Sequence, residues 1–396
     1  MVTIREIARA CGVSAATVSN IMNDRGKTSE ETKRKVLAYA EKVHYSPNAV
    51  ARSLKMKSSR SIGVIVEDMT IFSIPDIVDG ITDYCDRRDY KILLSNLRLF
   101  KRFYDTYYNQ DFYFDQVRNA IRTLMNYKVD GIIYVTAHER NLDCLPEDLE
   151  IPMVMAYGYT HSSRIPSVVV DDVDGAYQIM SELIRSGHTN IGVVSGKADS
   201  LHTQARLMGI QKALYDAHLP FLLDHVKVGN WERQSGYDAV DDLLRQGVTA
   251  ICCMNDLMAG GVYDRLYEKG LTAGRDLSVT GYDDRQTSAY YHPALSTVKL
   301  PLHNIGYASA VVLLEMLGED SSGAKENDTA PEFPETTGRK TSGPQENTLI
   351  RSRWKKTTGH KDDIVYSIPC ELVLRDSIAD IRSGLQEKAD LPLHID

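Results

Sequence analysis

The residues whose types and spacing most clearly suggest a chemical role lie near the N-terminus, in the stretch VSAATVSNIMN from Val13 to Asn23. Val18, Ile21 and Met22 recur at helical spacing and predict a buried stripe. The opposite face carries only short polar or methyl side chains: Ala15, Ala16, Ser19, Asn20 and Asn23. Such a face can lie deep in the DNA major groove, where methyl groups contact thymine and an asparagine amide pairs with adenine. The pattern therefore predicts a base-reading helix.

Two further predicted helices, one before and one after this stretch, can position the base-reading helix. Thr3 caps a first predicted helix, TIREIARAC, and Gly12 ends it. Ser14 caps the base-reading helix, and Thr28 is expected to cap a third helix, SEETKRKVLAYAEKV. Only GVS joins the first two helices, which is typical of a helix-turn-helix. In that motif the second helix lies in the major groove.

The charge distribution also indicates a nucleic-acid partner for this region alone. Residues 1–60 contain 12 Lys and Arg against 5 Asp and Glu, although the net charge of the chain is −8. A basic head on an acidic body favours binding of a polyanion by the head, since neutralised phosphates release counterions.

The stretch YSPNAVARSLKMKSSR, Tyr45 to Arg60, has two interpretations. It is either a basic linker or a short hinge helix that folds only on DNA. In the second case Leu54 is an apolar wedge for the minor groove.

After residue 60, short apolar runs alternate with amphipathic stretches in two series. The first contains SIGVIV, YKILLS, VDGIIYVT and IPMVMAYG, and the second contains SVVVDD, NIGVVSG, AICCMND and LSVTGYDD. This alternation predicts an α/β body of two doubly wound parallel-sheet lobes behind a small all-α helix-turn-helix head. A small-molecule site is expected in the cleft between the lobes, beyond the carboxyl ends of the strands.

Two stretches depart from this alternation. LFKRFYDTYYNQDFYF, Leu99 to Phe114, favours an extended amphipathic helix packed on the body, with a partner-binding patch as the alternative. Residues 318–363 are rich in Gly, Pro, Ser, Thr and Glu and predict a disordered insertion.

Several function classes are disfavoured. The six cysteines show no metal-ligand or CxxC spacing and are interpreted as buried thiols, so neither a metal nor a cofactor is expected. GVVSGKAD lacks the spacing of a phosphate loop, and neither GxGxxG after a strand nor GxSxG occurs, which argues against an enzyme. Without a long apolar run or a signal-like N-terminus, we expect a cytoplasmic protein with no membrane partner.

Several of these motifs together resemble one family. TIREIARACGVSAATVSNIMN, YSPNAVARSLK, MNDLMAGGV, LSVTGYDD, HPALSTVKL and PCELVLRDS follow in the order found in the LacI/GalR (lactose repressor and purine repressor) family of bacterial transcriptional regulators. The resemblance covers nearly the whole chain. It implies lobes of the periplasmic-binding-protein type, a homodimer on a palindromic double-stranded operator, and repression controlled by a small molecule.

The resulting domain prediction assigns each part of the chain. Its segments are 1–46, the helix-turn-helix DNA-binding domain; 47–60, the hinge helix and linker; 61–160 with 292–317, the N-terminal effector-binding lobe; 161–291 with 364–376, the C-terminal effector-binding lobe; 318–363, the insertion; and 377–396, the C-terminal tail.

The resemblance also implies site residues. The predicted DNA-contacting set is Thr3, Ser14, Ala15, Ala16, Thr17, Ser19, Asn20, Asn23, Arg25, Tyr45, Asn48, Ala51, Leu54 and Lys55. The predicted effector-binding set is Phe72, Ile74, Arg206, Trp231, Asn255 and Asp283. Three alternatives stay open: Arg206 and Asp283 as a structural ion pair, Asn255 as a helix cap, and Trp231 as a core residue.

The resemblance leaves the effector open between two chemical classes. A tryptophan platform favours a sugar or glycoside, and a purine or nucleoside is the alternative. Galactoside-binding relatives carry an acid in the strand that reads PMVMAYG here, and this chain has none. A sugar receptor of the periplasmic type is a remote alternative, which the basic head disfavours.

Overall fold

The computed structural model describes residues 2–22, 28–45, 58–146, 148–319, 355–358 and 364–382. Six predicted DNA-contacting residues lie outside these ranges: Asn23, Arg25, Asn48, Ala51, Leu54 and Lys55. Most of the predicted insertion 318–363 and the tail after residue 382 also lie outside them. The chain divides into two units, Met1–Ser61 and Ile62–Asp396, which are described separately.

The described part of the first unit contains the helices α1 (Ile4–Cys11), α2 (Ala15–Met22) and α3 (Glu30–Lys42). The capping box at Thr3 is present, and Gly12 ends α1 with φ at 69°. Ser14 Oγ accepts a hydrogen bond from the Thr17 amide at 3.0 Å and so caps α2. The cap predicted at Thr28 is wrong by one residue. Helix α3 begins only at Glu30, so the capping residue is Ser29, whose Oγ accepts a hydrogen bond from the Thr32 amide at 3.3 Å.

The hydrophobic core of the head fixes which face of α2 points outward. Val18 and Ile21 from α2 are buried against side chains of α1 and α3. Ala15, Ala16 and Asn20 consequently lie on the exposed side. The sequence prediction of a small, solvent-facing surface on this helix agrees with the structure.

In the described residues, the first lobe of the second unit is built on a seven-stranded sheet. Its strand order is β11-β12-β5-β4-β3-β1-β2. The strands are β1 (Ser61–Val66), β2 (Lys91–Asn96), β3 (Gly131–Val135), β4 (Met153–Ala156), β5 (Ser167–Val170), β11 (Lys355–Thr358) and β12 (Ile364–Ile368). Strands β1, β3, β4, β5 and β12 pair in parallel, and β11 pairs antiparallel to β12.

The described second lobe has a four-stranded parallel sheet in the order β7-β6-β8-β9. Its strands are β6 (Ile191–Ser195), β7 (Val226–Val228), β8 (Ala250–Cys253) and β9 (Ser278–Thr280). Strands β10 (Thr297–Lys299) and β13 (Glu371–Val373) form a separate antiparallel pair. Parallel sheets covered by helices confirm the predicted fold class.

The helices of the second unit cover these sheets. They are α4 (Ser73–Arg87), α5 (Leu99–Phe103), α6 (Phe114–Asn126), α7 (Asp172–Arg185), α8 (Leu201–Asp216), α9 (Arg233–Arg245), α10 (Asp256–Glu268) and α11 (Leu302–Met316), with 3-10 helices at Tyr104–Asn109, Leu223–His225 and Gln286–Tyr290. Helices α9 and α10 approach backbone to backbone: a Cβ on Gly236 would lie 1.9 Å from the Met258 carbonyl oxygen. This close packing fixes the start of both helices at the edge of the cleft.

The predicted lobe boundaries are wrong for two strands and one part of the insertion. Residues 161–170 and 364–368 were assigned to the C-terminal lobe, yet β5 and β12 pair within the N-terminal sheet. Lys355–Thr358, assigned to the disordered insertion, is the edge strand β11. Both sheets are built from similar apolar parallel strands, so a strand's own residues do not reveal which sheet it joins.

The aromatic stretch 99–114 packs on the body as expected, but it is not one extended helix. The backbone of Tyr104 has φ at 50°, a left-handed value that ends α5 and begins a 3-10 helix. Leu99, Tyr107 and Tyr113 are buried in a hydrophobic cluster of the N-terminal lobe.

No helix within the described ranges is both long enough and apolar enough to cross a membrane. All six cysteines are buried and unpaired, in agreement with their interpretation as buried thiols.

Candidate effector cavity and DNA-binding head

A cavity of about 440 Å³ lies between the two lobes of the second unit. Its lining comes from the segments that follow the carboxyl ends of β1 to β4 and β6 to β9, as expected for doubly wound sheets. Five of the predicted effector residues line it: Phe72, Arg206, Trp231, Asn255 and Asp283. The sixth, Ile74, does not line the cavity. Helix α4 begins at Ser73, and this turns Ile74 into the core, where it is fully buried.

Arg206 is the central cation of the cavity. Its Nε donates to Asp172 Oδ1 at 2.8 Å, and its Nη1 donates to the Met254 carbonyl. The guanidinium carbon lies 3.6 Å from the centre of the Tyr282 ring. Asp283, the partner considered from the sequence, is farther away, with 3.9 Å between Nη1 and Oδ1. The sequence analysis missed Asp172 as the main partner, although the paired acids of VVVDD at the end of β5 were a visible signal.

A buried network continues from Asp172 across the cleft. His202 Nδ1 lies 2.5 Å from Asp172 Oδ2, and the Glu139 amide donates to His202 Nε2 at 3.4 Å. Glu139 lies in the N-terminal lobe, after β3, whereas Asp172 and His202 belong to α7 and α8 of the second lobe. The network therefore links the two lobes through side chains that are all buried.

Burial and mutual charge determine the protonation of this network. Burial raises the pKa of the Glu139 carboxyl to about 7, although His202 opposes the shift. Burial alone would raise the pKa of Asp172, but Arg206 and His202 hold it well below the usual value. Burial would lower the pKa of His202, yet Asp172 and Glu139 together raise it.

Glu139, Asp172 and His202 also bring possible metal-ligand atoms within 4.8 Å of one another, the one such group found in the described residues. Asp172 already accepts hydrogen bonds from Arg206 and His202, however. A divalent cation at this position would lie beside the guanidinium of Arg206. The geometry favours a hydrogen-bonded charge network over a metal centre.

A Glu139→Gln variant tests the raised pKa of Glu139. The folded protein keeps this proton up to about pH 7, whereas the unfolded chain releases it near pH 4.3. The folded state binds more protons in this window, so the contribution of Glu139 to the free energy of unfolding falls as pH rises. We expect the difference in Tm, variant minus wild type, to become more positive between pH 5 and pH 7.5.

The Tm of the variant must be compared with that of the wild type at each pH, because other groups titrate between pH 5 and pH 7.5. Desolvation and the charge of His202 lower the pKa of His138 to about 3, which gives a stability contribution of opposite sign. A Tm difference that stays constant over this pH range would contradict a raised pKa at Glu139.

Asn255 and Trp231 form a second unit of the cavity wall. Asn255 Oδ1 accepts the Met258 amide at 2.8 Å, and its Nδ2 donates to the Trp231 carbonyl at 2.9 Å. The capping alternative for Asn255 is thus what the structure shows, and both ends of its amide are engaged. Asn255 therefore positions Trp231 and caps the following helix, and it also lines the cavity.

The Trp231 side chain lies on the cleft wall, not in the core. Its backbone has φ at 74°, and its ring lies directly over Gly196. A Cβ on Gly196 would come within 2.0 Å of the ring, so a larger residue there would displace the indole. Left-handed backbone at a non-glycine residue is costly and recurs at ligand sites.

The carboxylate of Asp283 lies near two guanidinium groups, those of Arg285 and Arg206. Its Oδ2 accepts from Arg285 Nε at 3.1 Å, and its backbone has φ at 111°. Burial raises the pKa of Asp283, although the Arg206 and Arg285 guanidinium groups oppose the shift. The Arg285 guanidinium lies 4.0 Å from the centre of the Phe72 ring, which belongs to the other lobe. Sequence reasoning missed Arg285, because its contact with Phe72 exists only across the cleft.

The described residues of the predicted DNA-contacting set form two groups. Ser14, Ala15, Ala16 and Asn20 are exposed on α2 or at its cap, and Thr17 and Ser19 lie partly buried beside them. Thr3 engages Glu6 in the capping box of α1, and Tyr45 packs partly buried against the core of the head.

A helix-turn-helix unit together with a two-lobed α/β body around a cleft cavity defines the class of ligand-responsive DNA-binding regulators. Comparisons agree with this class. A family model described as "Bacterial regulatory proteins, lacI family" matches residues 3–48. A second, described as "Periplasmic binding proteins and sugar binding domain of LacI family", matches residues 104–337.

Relatives match over nearly their whole length. The HTH-type transcriptional repressor PurR of Vibrio parahaemolyticus is 32% identical over 337 residues, covering 84% of this chain and 97% of the relative. PurR of Vibrio cholerae is 31% identical over 339 residues, covering 85% and 97%. The crystal structure of the Lac repressor dimer bound to operator and the anti-inducer ONPF superposes with a TM-score of 0.66 at 24% identity, covering 96% of this chain and 99% of that one. The chain therefore belongs to the LacI family of DNA-binding transcriptional repressors.

Proposed function

We propose that the protein represses transcription as a homodimer on a two-fold symmetric operator and that a small molecule in the inter-lobe cavity controls its affinity for DNA. One observation supports the proposal that a ligand controls the protein. The cavity is enclosed by both lobes and combines an aromatic wall at Trp231 with buried charges at Arg206 and Asp283. Apolar walls with a few convergent polar groups are typical of small-molecule sites.

The proposed DNA contacts begin with α2. The exposed side chains of Ala15, Ala16 and Asn20 are the base-reading group, with Ser14, Thr17 and Ser19 beside the phosphates. Thr3 and Tyr45 complete the described part of the proposed interface. Asn23, Arg25, Asn48, Ala51, Leu54 and Lys55, which lie outside the described residues, remain predictions from the sequence.

A sugar or glycoside is the proposed effector class. Sugar hydroxyls both donate and accept hydrogen bonds, and the cavity offers guanidinium donors and carboxylate acceptors side by side at Arg206, Arg285 and Asp283. The flat indole of Trp231 provides a surface for the apolar face of a sugar ring.

A purine or nucleoside is the second candidate. It is favoured by the relatives named PurR, which are 31% to 32% identical to this chain. A flat base would stack on Trp231 equally well, with Arg206 and Asp283 at its polar edge.

Control of DNA binding follows from the contacts between the lobes. A ligand between them changes how closely Glu139 and Phe72 approach His202 and Arg285. A ligand that binds one lobe arrangement better than another shifts the equilibrium between the two. A coupling free energy of about 1–3 kcal/mol would change operator affinity roughly 5- to 150-fold.

Thermal unfolding with a panel of sugars, glycosides, purines and nucleosides tests this proposal. A ligand at about 100 times its dissociation constant stabilises the folded state by roughly 2.7 kcal/mol, which gives a measurable rise in Tm. We expect one chemical class to raise the Tm of the wild type and to have no effect on Trp231→Ala and Asp283→Ala.

Tyr267→Ala is the matched control, because Tyr267 is 86% exposed and does not line the cavity. It should respond to the ligand like the wild type. A rise in Tm that survives both cavity substitutions would show that the ligand binds elsewhere.

A further inference from the structure

The segment from Leu99 to Asn109 forms part of the cavity wall, on the side of the N-terminal lobe. Phe100 of α5 and Asp105 of the following 3-10 helix both line the cavity. The cavity thus reaches beyond Arg206, Trp231 and Asp283 to a segment that sequence reasoning assigned only to packing or to a partner surface.

This segment is firmly attached to its lobe. The Leu99 amide donates to the Glu67 carbonyl at 2.8 Å, and the Lys101 amide donates to Asp68 Oδ2 at 2.8 Å. Tyr107 is fully buried, and its hydroxyl lies 3.4 Å from Glu67 Oε2. These contacts hold the backbone of Asp105 in place at the edge of the cavity.

Asp105 reaches across the cleft to the other lobe. Its Oδ2 accepts from Lys197 Nζ at 2.6 Å, and Lys197 follows β6 in the second lobe. The two side chains are 51% and 40% exposed, whereas Arg206 and Asp283 are buried. The cavity therefore has an inner, buried end and an outer, solvated end, each with a cation and a carboxylate.

The Asp105–Lys197 pair is easily opened by a ligand. An exposed ion pair contributes only about 0–1 kcal/mol, because water screens both charges. A polar group that bonds to the carboxylate and the ammonium together can replace their direct contact at little cost. Neighbouring hydroxyls of one ring satisfy both, since a hydroxyl donates to a carboxylate and accepts from an ammonium.

The size of the cavity fits more than one ring. A cavity of roughly 150 Å³ is enough to hold benzene. The cavity here, at about 440 Å³, has nearly three times that volume. A ligand of one six-membered ring would leave the outer end filled with water.

We propose that Asp105 and Lys197 form an outer subsite that binds the second, hydroxyl-bearing unit of a two-unit effector, in which a sugar is linked to a further sugar or to a base. The first ring stacks on Trp231 and meets Arg206 and Asp283 at the inner end. This inference rests on the proposed function and narrows its ligand to a disaccharide-like glycoside or a nucleoside.

Isothermal titration of the full-length protein with matched ligand pairs tests the subsite. The pairs are glucose with cellobiose, galactose with lactose, adenine with adenosine and guanine with guanosine. In at least one pair the larger, two-unit member should bind about tenfold more tightly to the wild type, which corresponds to one or two net hydrogen bonds. Asp105→Ala and Lys197→Met should remove that advantage and change the affinity for the smaller, one-unit member less than about twofold.

Asp115→Ala is the matched control. Asp115 lies in the same region and forms an exposed ion pair with Arg118, but it does not line the cavity. This variant should keep the affinities of the wild type for both members of each pair.

The possible failures are distinguishable. Equal affinity of the wild type for both members, or equal losses for both in Asp105→Ala, would overturn the outer subsite and leave the proposed effector cavity standing. If neither member of any pair binds the wild type, the proposed effector classes are wrong, and the outer subsite is wrong with them.

Discussion

Replacing Arg206 by methionine is expected to lower the free energy of unfolding by about 3–5 kcal/mol, since it removes the guanidinium partner of a buried carboxylate and leaves only His202 beside it. That carboxylate is Asp172, which is almost fully buried and accepts from Arg206 Nε at 2.8 Å. Its pKa is held well below the usual value by Arg206 and His202, so the charge persists in the folded state. Methionine replaces the aliphatic stem of arginine by a flexible apolar chain, which limits the loss of packing. Urea unfolding without ligand measures the effect.

Arg118→Met provides the control for loss of an ion pair as such. Arg118 binds Asp115 at 2.7 Å on the surface, and such exposed pairs contribute about 0–1 kcal/mol. The double variant Arg206→Met with Asp172→Asn should recover part of the lost stability, because the uncompensated charge is gone. A loss no larger in Arg206→Met than in Arg118→Met would show that Asp172 is compensated without Arg206.

The head and the positions of the strands are predictable from the sequence because their signals are local. The capping box at Thr3 and the apolar spacing of Val18 and Ile21 depend on residues within one or two helical turns. The cavity residues Trp231 and Asp283 were predicted from the family resemblance, and only Asp283 also has a local signal, since it follows the apolar strand β9.

The partners of these residues are not predictable in the same way. Asp172, Glu139 and His202 meet because different elements from two lobes converge, and no spacing in the sequence encodes their distances. The same limit applies to β5 and β12, whose apolar residues suit either sheet. The family resemblance therefore predicted the side chains at the cavity better than it predicted the contacts that hold them there.

The outer wall of the cavity shows a related limit. Periodicity of the aromatic side chains predicted one helix over Leu99 to Phe114, but the left-handed backbone at Tyr104 breaks it. That break places Asp105 in a 3-10 helix, from which it reaches Lys197. A single backbone conformation thus changes a predicted packing helix into part of the cavity wall.

Replacing Ala16 by glutamate is expected to abolish specific operator binding while leaving the head folded. Ala16 is exposed in the first turn of α2, where a carboxylate is favoured by the helix dipole, so stability should not fall. In the proposed complex the new carboxylate would face base edges and phosphates at the floor of the groove. Like-charge contacts across an interface cost several kcal/mol, so we expect operator affinity to fall roughly 100-fold or more. Fluorescence anisotropy with operator DNA measures this loss.

Ala38→Glu separates this effect from the added negative charge. Ala38 is exposed on α3, outside the proposed base-reading helix, and the substitution changes the net charge equally. Its loss of affinity should be small and should diminish with added salt, because only long-range repulsion acts. The loss in Ala16→Glu should persist at high salt, since a carboxylate in the groove also blocks close approach. Equal losses in the two variants would show that α2 does not enter the groove by the Ala15–Ala16 face.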